Sequence, residues 1–170
     1  QVVGYSHSSR AKLYDVKIKY NDKQHASQAF LDLVRSLGIA CNFEKLPRLN
    51  FSKNDRNFVD KFLKNNGIKS GDFVVCVAPG AAESAKARMW PYDRYAELCD
   101  EVIAKHGAII VFTGSLNENE LIGDIQKKMD SSGKTINAAG KLALSQLFCL
   151  IGKCDLFIGN DSGPMHIAAA

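Results

Sequence analysis

The sequence has 170 residues, of which 46% are hydrophobic and 24% are charged, an ordinary composition for a folded globular protein. Its 22 Lys and Arg residues against 18 Asp and Glu residues give a net charge of +4, and this mild, dispersed charge argues against a nucleic-acid-binding protein. No stretch approaches the roughly 18 to 20 apolar residues of a membrane span, and no secretory signal opens the chain.

The first part of the chain, residues 1–66, has the less regular pattern. Its predicted elements are two short strands and two amphipathic helices, over residues 2–5, 14–20, 24–37 and 55–65. Residues 41–54, with Pro47 and several polar side chains, are predicted to be a connector. The chain opens without an initiator Met and stops one turn into a helix without a C-cap, so we expect an interior segment of a longer protein.

Residues 67–170 alternate regularly between short apolar runs and amphipathic segments. Four buried strands are predicted over residues 73–78, 108–112, 135–137 and 156–158. The three helices between them are predicted over residues 91–107, 117–129 and 144–151. This alternation predicts an α/β fold, a Rossmann-like parallel sheet with right-handed crossovers and flanking helices.

A glycine follows each of the four predicted strands, and the carboxyl ends of parallel strands are where such sheets bind ligands. The four loops contain Gly80, Gly114, Gly140 and the run 159–163. Glycine permits close approach of the backbone to a ligand. The sequence therefore favours a nucleotide-type crevice at this edge of the sheet.

The last loop, Gly159-Asn160-Asp161-Ser162-Gly163-Pro164-Met165-His166, joins a strand to a helix within eight residues. Pro164 suits the first helical position and Ser162 and Gly163 suit the cap, so the free N–H groups of the helix would face an anion above the strand end. Asp161 would repel a phosphate and is better suited to accept hydrogen bonds from hydroxyl groups, which indicates a sugar nucleotide. The alternative is a plain capped helix, since these residues are common helix starts.

Five cysteines are scattered through the chain without Cys-x-x-Cys spacing: Cys41, Cys76, Cys99, Cys149 and Cys154. Neither a zinc site nor a complete disulfide framework is indicated, so we expect most of them to be small core residues. Free thiols are typical of the reducing cytoplasm, which is the location we expect.

Together with that last loop, three further motifs resemble the bacterial heptosyltransferases of glycosyltransferase family 9 in order and spacing. They are Pro79-Gly80-Ala81, the stretch from Arg88-Met89-Trp90-Pro91 to Tyr95-Ala96-Glu97-Leu98, and Gly140-Lys141-x-x-Leu144. The resemblance is clear over residues 71–170 and fainter over 4–39. It implies a two-domain GT-B architecture, with residues 1–66 as the end of the N-terminal, acceptor-side domain and a connector. Residues 67–170 would then be most of the C-terminal, nucleotide-sugar-binding domain.

The resemblance also implies which residues bind the donor: Gly80, Ala81, Arg88, Glu118, Gly140, Lys141, Asp161, Ser162, Gly163 and His166. Arg88 stands where the family usually has Lys, keeps the positive charge, and would neutralise the diphosphate leaving group; a solvated surface cation is the alternative. Glu118 aligns with an acid that contacts the nucleoside, and its alternative is a helix-start Glu. For His166 the alternative is local capping or packing. Trp90 is expected to be a buried packing anchor.

By resemblance, the activity is metal-independent, inverting transfer of heptose from ADP-heptose to the lipopolysaccharide inner core. No Asp-x-Asp pair occurs, so no metal-bridged diphosphate is indicated, and no cofactor is expected. The catalytic base in the family is an Asp near the start of the N-terminal domain, outside these 170 residues, so we expect this chain alone to be inactive. Peripheral association with the inner face of the inner membrane is implied. The alternatives are another GT-B enzyme, such as a nucleotide-sugar epimerase, or a non-catalytic nucleotide-binding domain.

Overall fold

The computed structural model of the protein describes residues 1–42 and 48–170, with every side chain in them except those of Glu83, Ser84 and Arg88. The chain divides into two units, Gln1–Pro47 and Arg48–Ala170. Each unit has its own parallel sheet.

The first unit contains a pair of parallel strands and one helix. Strand β1 (Val3–Tyr5) pairs with β2 (Val16–Ile18), and helix α1 (Ala26–Arg35) follows. The Tyr5 hydroxyl donates a hydrogen bond to the carbonyl of Ala29, which ties the strand to the helix. All three elements were predicted, and each is shorter than its sequence pattern because only residues that pair or complete helical hydrogen bonds belong to the strand or helix.

The second unit is built on a four-stranded, all-parallel sheet in the order β5-β4-β3-β6. Its elements are α2 (Lys53–Asn65), β3 (Val74–Ala78), α3 (Tyr92–His106), β4 (Ile109–Phe112), α4 (Asn119–Lys128), β5 (Thr135–Asn137), α5 (Leu144–Ile151), β6 (Leu156–Gly159) and α6 (Gly163–Ala169). Every predicted strand and helix of residues 67–170 is present, which confirms the predicted α/β class with a Rossmann-like parallel sheet.

Helix boundaries follow the signals in the sequence. Helix α3 begins after Pro91 and ends at Gly107, whose φ of 65° is the left-handed conformation that glycine adopts without strain. Helix α4 begins two residues later than predicted because the 3-10 helix Leu116–Glu118 forms its first turn. Among the helices of the described residues, none has both the length and the apolar character to cross a membrane.

Side chains alternate between the two faces of the sheet, and helices cover both. Val75, Val77 and Phe112 pack under α3 and α4, with Tyr95 and Ile122 in the same buried cluster. Val74 and Val111 point to the other face, where Val59 of α2 and Leu150 of α5 cover them. The result is a three-layer α/β/α arrangement whose core lies on both sides of β3 and β4.

Helix α2 packs on this sheet, so the second unit begins at Arg48. The boundary expected from the sequence lies between residues 66 and 67, after α2. The difference has a physical reason: Val59 is fully buried, and Phe62 and Leu63 pack against the same cluster as Val74, so the apolar stripe of α2 completes the core of the four-stranded sheet.

Three of the five cysteines, Cys76, Cys99 and Cys149, are buried, as expected for small core residues. Burial raises the pKa of the Cys99 thiol to about 12. Cys41 and Cys154 are partly buried, and all five are free thiols.

Asp55 connects the start of α2 to helix α5. Its carboxylate accepts hydrogen bonds from the backbone N–H of Ser52 (3.0 Å) and the hydroxyls of Ser52 (2.7 Å) and Ser145 (3.0 Å). The Ser52 hydroxyl accepts in turn from the Asp55 N–H, which completes a capping box. These bonds from Ser52 hold the pKa of Asp55 below its ordinary value.

A lowered pKa in the folded state means that ionised Asp55 stabilises the fold above the ordinary aspartate pKa of 3.8, and that this contribution is lost as the pH falls through the folded-state value. We therefore expect Asp55→Asn to lower the urea midpoint at pH 7 and to converge with the wild type in acid. Asp93→Asn removes the same charge from the first turn of α3 and is the matched control. The measurement is the urea midpoint of each protein from pH 7 into the acid range. Equal changes of the midpoint with pH in Asp55→Asn and Asp93→Asn would contradict the role assigned to Asp55.

Candidate functional site

The carboxyl ends of all four strands of the second unit converge on one cavity of about 660 Å³. Gly80 and Ala81 line it after β3, Thr113 to Ser115 after β4, Ala138 after β5, and Ser162 to Pro164 after β6. Because the strands are parallel, their carboxyl ends share one edge of the sheet. The predicted crevice is therefore a real cavity, built from the four loops that the sequence singled out.

Of the residues predicted to bind a donor, Gly80, Ala81, Glu118, Ser162 and Gly163 line this cavity. Four others lie in the same loops without lining the cavity: Gly140, Lys141, Asp161 and His166. The prediction for Arg88 concerns a side chain that falls outside the described residues.

The side-chain amide of Asn160 joins the loops on two sides of the cavity. Its Nδ2 donates to the carbonyl of Pro79 (2.7 Å), with a longer contact to that of Gly80 (3.4 Å), and its Oδ1 accepts from the backbone N–H of Trp90 (3.0 Å). Asn160 is 8% exposed, so these bonds are shielded from water. Asn160 belongs to the last loop motif but had no predicted role, because its partners are distant in sequence and its position directly after a strand was the only signal.

Glu118 occupies a helix-start position, which is the alternative to the predicted nucleoside contact. Its carboxylate accepts from the Ser115 hydroxyl (2.9 Å) and the Ser115 backbone N–H, in a capping box. It also lies against two glycines: a Cβ at Gly80 would come within 1.6 Å of Oε1, and one at Gly114 within 2.9 Å of Oε2. A Cβ at either glycine would therefore displace this half-buried carboxylate, which lines the cavity.

Gly140 and Lys141 tie the loop after β5 to its neighbours. The Gly140 N–H donates to the carbonyl of Gly114 (3.0 Å), and Gly140 has a φ of 68°, which favours glycine. The Lys141 ammonium folds back on the carbonyl of Asn137 (2.7 Å). Both residues thus hold the shape of the loop beside the cavity.

Helix α6 begins at Gly163, with Pro164 second, one residue earlier than predicted. Ser162 is the N-cap, but its hydroxyl donates to the Asn160 carbonyl (3.3 Å) and makes no capping bond to the helix. Ser162 thus gives α6 no side-chain cap; Pro164 has no N–H, and the Met165 N–H donates to the Ser162 carbonyl (3.1 Å). Within the turn, Asp161 Oδ1 lies 4.0 Å from Nε2 of His166 in helix α6, a distance that makes an ion pair when the imidazole is protonated.

The walls of the cavity differ in chemistry. Leu142, Leu144 and Leu147 form an apolar side at the start of α5. The other walls present the hydroxyls of Thr113, Ser115 and Ser162, and Lys86 adds a positive charge. Such a cavity suits a ligand with a flat apolar part and a polar, anionic part.

Trp90 is 44% exposed, so the expectation that it is a buried anchor is wrong. The indole packs nearly at right angles to the buried Tyr95 ring, with centroids 5.0 Å apart and planes at 79°. Burial raises the pKa of Tyr95 to about 12. Trp90 also lines a neighbouring cavity of about 500 Å³. The motif fixed the position of Trp90 in the loop, but the burial of its ring depends on tertiary packing.

In residues 1–42 and 48–170, no group of three or more His, Cys, Asp or Glu side chains is arranged to hold a metal ion.

The family model, the relatives and the solved structures that this chain resembles all point to one family. The model of glycosyltransferase family 9 (heptosyltransferase) matches residues 1–170. Lipooligosaccharide heptosyltransferase 2 of Haemophilus influenzae is 33% identical over 112 residues, which are 65% of this chain and 32% of that protein. The crystal structure of the family 9 glycosyl transferase from Veillonella parvula DSM 2008 superposes with a TM-score of 0.79 at 24% identity, covering 98% of this chain and 47% of that one.

A structure of E. coli heptosyltransferase WaaC with ADP has the same fold, with a TM-score of 0.58 and 16% identity over 94% of this chain and 46% of that one. These structures share the fold of this chain and confirm the predicted α/β class with a Rossmann-like parallel sheet. The chain spans between 32% and 47% of the length of these proteins.

The close approach of Glu118 to Gly80 can be tested by a double-mutant cycle. Gly80→Ala should expel the carboxylate from its capping box and lower the free energy of unfolding by about 1 kcal/mol, the typical worth of such a cap. In a Glu118→Ala background the same substitution should cost almost nothing, because the clashing atoms are gone. Urea unfolding of the four proteins measures the coupling.

Gly123→Ala is the control for this cycle. It lies within α4, where an added Cβ meets nothing within 4 Å, and alanine should stabilise the helix. Equal costs of Gly80→Ala in both backgrounds would contradict the assigned contact.

Proposed function

Because this chain belongs to glycosyltransferase family 9, we propose that the protein transfers heptose from ADP-heptose to the inner core of lipopolysaccharide, with inversion and without a metal ion. The observation that carries the proposal is the 660 Å³ cavity at the ends of four parallel strands, with an apolar wall on one side and hydroxyls, a lysine and a helix start on the others. A nucleotide sugar has this same division between base and diphosphate.

We propose that the adenine base lies against Leu142, Leu144 and Leu147, and that the diphosphate faces Ser162 and Gly163. Lys86, which lines the cavity, would add positive charge near the phosphates. An adenine donor is supported by the WaaC structure, which shares the fold and was solved with ADP.

The remaining predicted residues have supporting roles in this proposal. Asp161 and His166 stand at the exposed rim of the β6 turn, where a carboxylate would accept hydrogen bonds from sugar hydroxyls and an imidazole N–H would reach a phosphate oxygen. Glu118 would contact the nucleoside while it holds its capping box. Gly80, Ala81, Gly140 and Lys141 would shape the loops around the donor.

The reaction is a displacement at the anomeric carbon of the donor. The acceptor hydroxyl loses its proton to a base, its oxygen forms the new bond on one face, and ADP leaves from the other, which inverts the configuration. We propose that the base is an Asp in the acceptor-side domain, outside these residues. This chain would stabilise the charge that develops on the departing diphosphate, through Lys86, Arg88 and the start of α6.

We further propose that the protein acts in the cytoplasm at the inner face of the inner membrane, where it associates peripherally with its lipid-linked acceptor. The free thiols of the chain are compatible with a reducing compartment.

The proposal is tested by titrating the intact protein with ADP-, UDP- and GDP-sugars in a calorimeter and by assaying transfer to a lipopolysaccharide inner-core acceptor. Preferred binding of the ADP-sugar together with product formation supports it. Binding without transfer would favour a non-catalytic nucleotide-binding domain, and isomerised sugar without acceptor would favour an epimerase. Either result would overturn the proposed activity.

Asp161→Ala should weaken binding of ADP-heptose more than binding of ADP, because the lost carboxylate is proposed to recognise sugar hydroxyls. The difference should be about tenfold, the effect of one lost charge-assisted hydrogen bond. Asp72→Ala is the control, because it removes the same charge before β3, at the opposite edge of the sheet. Calorimetry that found equal losses for both ligands would contradict the role of Asp161.

Arg88→Ala should lower kcat by about ten- to a hundredfold because it removes one charge-stabilising group, and Arg88→Lys should retain much of the rate. Charge is expected to matter more than guanidinium geometry, since lysine is the usual family residue here. Arg94→Ala, on α3 and paired with Glu97, is the control. Steady-state kinetics in which the lysine variant is as slow as the alanine variant would count against this role.

A further inference from the structure

We propose that Asn160 is a positioning residue for the donor site: its amide fixes both ends of the segment 79–90 to the turn after β6. This inference rests on the proposed function, because the cavity that the segment borders is the proposed donor site. Asn160 itself need not touch the ligand.

The hydrogen bonds of Asn160 reach the two ends of one segment. At the beginning of the segment, Nδ2 donates to the Pro79 carbonyl at 2.7 Å; at its end, Oδ1 accepts from the Trp90 N–H at 3.0 Å. Between these ends lie Gly80, Ala81 and Lys86, which line the cavity. One side chain therefore closes the segment into a loop of fixed span.

The same residue lies next to the opposite wall. Asn160 is followed by Asp161, Ser162 and Gly163, and its own carbonyl accepts the Ser162 hydroxyl at 3.3 Å. Lys86 and Ser162 lie on two walls of the cavity. The hydrogen bonds of Asn160 therefore fix the position of each relative to the other. Loss of its bonds should let the two walls move apart, which would weaken binding of a ligand that needs both.

An amide is required because the site needs one donor and one acceptor on the same side chain. Asn160→Asp keeps the shape and still accepts from Trp90, but an ionised carboxylate cannot donate to the Pro79 carbonyl. It would instead set an oxygen against that carbonyl in a buried place, since Asn160 is 8% exposed. When the introduced carboxyl is protonated, its O–H can donate to Pro79, so the original pattern returns in acid.

Other charged groups face this corner of the structure. Asp161 lies on the turn itself, His166 in helix α6, Lys86 on the adjoining segment and Glu118 against Gly80, while the side chain of Arg88 is outside the described residues. All of these groups are present in the wild type as well. The ratio of the two dissociation constants at each pH therefore isolates the introduced carboxyl.

The test measures the Kd of ADP by calorimetry for the wild-type and Asn160→Asp proteins. We expect the variant to bind about tenfold more weakly at about pH 8 and within about threefold of the wild type at about pH 5.5. Asn137→Asp is the matched control: its amide donates to Asn119 and accepts from Ala139, at the end of β5. It introduces the same charge at the same sheet edge and should leave the Kd within about twofold at both pH values.

Thermal unfolding of the same proteins separates positioning from stability. A lower melting temperature for Asn160→Asp with an unchanged Kd would overturn the proposal, as would a Kd ratio that does not vary with pH or that matches the Asn137→Asp control. A wild type that binds no ADP would overturn the proposed function together with this inference. Strong wild-type binding with a flat ratio would overturn the role of Asn160 alone.

Discussion

The parallel pairing of β3 with β6 is the constraint on which the site depends. Its register sets Ala78 opposite Gly159, so the two chains leave the sheet side by side. A Cβ at Gly159 would come within 3.0 Å of the Ala78 carbonyl, and glycine therefore suits this point of closest approach. From there the β3 connection runs toward β4, whereas β6 lies on the other side of β3. This divergence opens the crevice, as in other doubly wound sheets.

Much of this architecture could be predicted because local signals and global packing agree. The run 73–78 is apolar throughout, as expected for a central strand buried on both faces, and Gly107 marks the end of α3 by its need for positive φ. The residue at which the second unit begins could not be predicted from the sequence in the same way. The amphipathic stripe of α2 shows that the helix must pack, but not that it packs on a sheet whose first strand follows it.

The candidate site also has one part that could be predicted from the sequence and one part that could not. Parallel strands guarantee that the four glycine loops meet, so the cavity was predictable from the order of the elements. The contacts of individual side chains were not. Asn160 reaches Pro79 across 81 residues of sequence, and Glu118 fits against Gly80 only after β3 and β4 are paired. Trp90 also shows that the burial of a motif residue could not be predicted, since this residue was expected to be buried and is 44% exposed.

The strand order also has a consequence for how the protein folds. β3 pairs with β4, and β4 with β5, after one intervening helix each, whereas β6 must pair with β3 across two further strands and all three helices. Closing the longer loop costs more chain entropy, so this pairing should be the late step in assembly. During synthesis on the ribosome, the walls of the cavity cannot meet until β6 has emerged from the exit tunnel. Ligand binding would then be acquired all at once at the end of folding, and refolding followed by helix content should precede refolding followed by nucleotide binding.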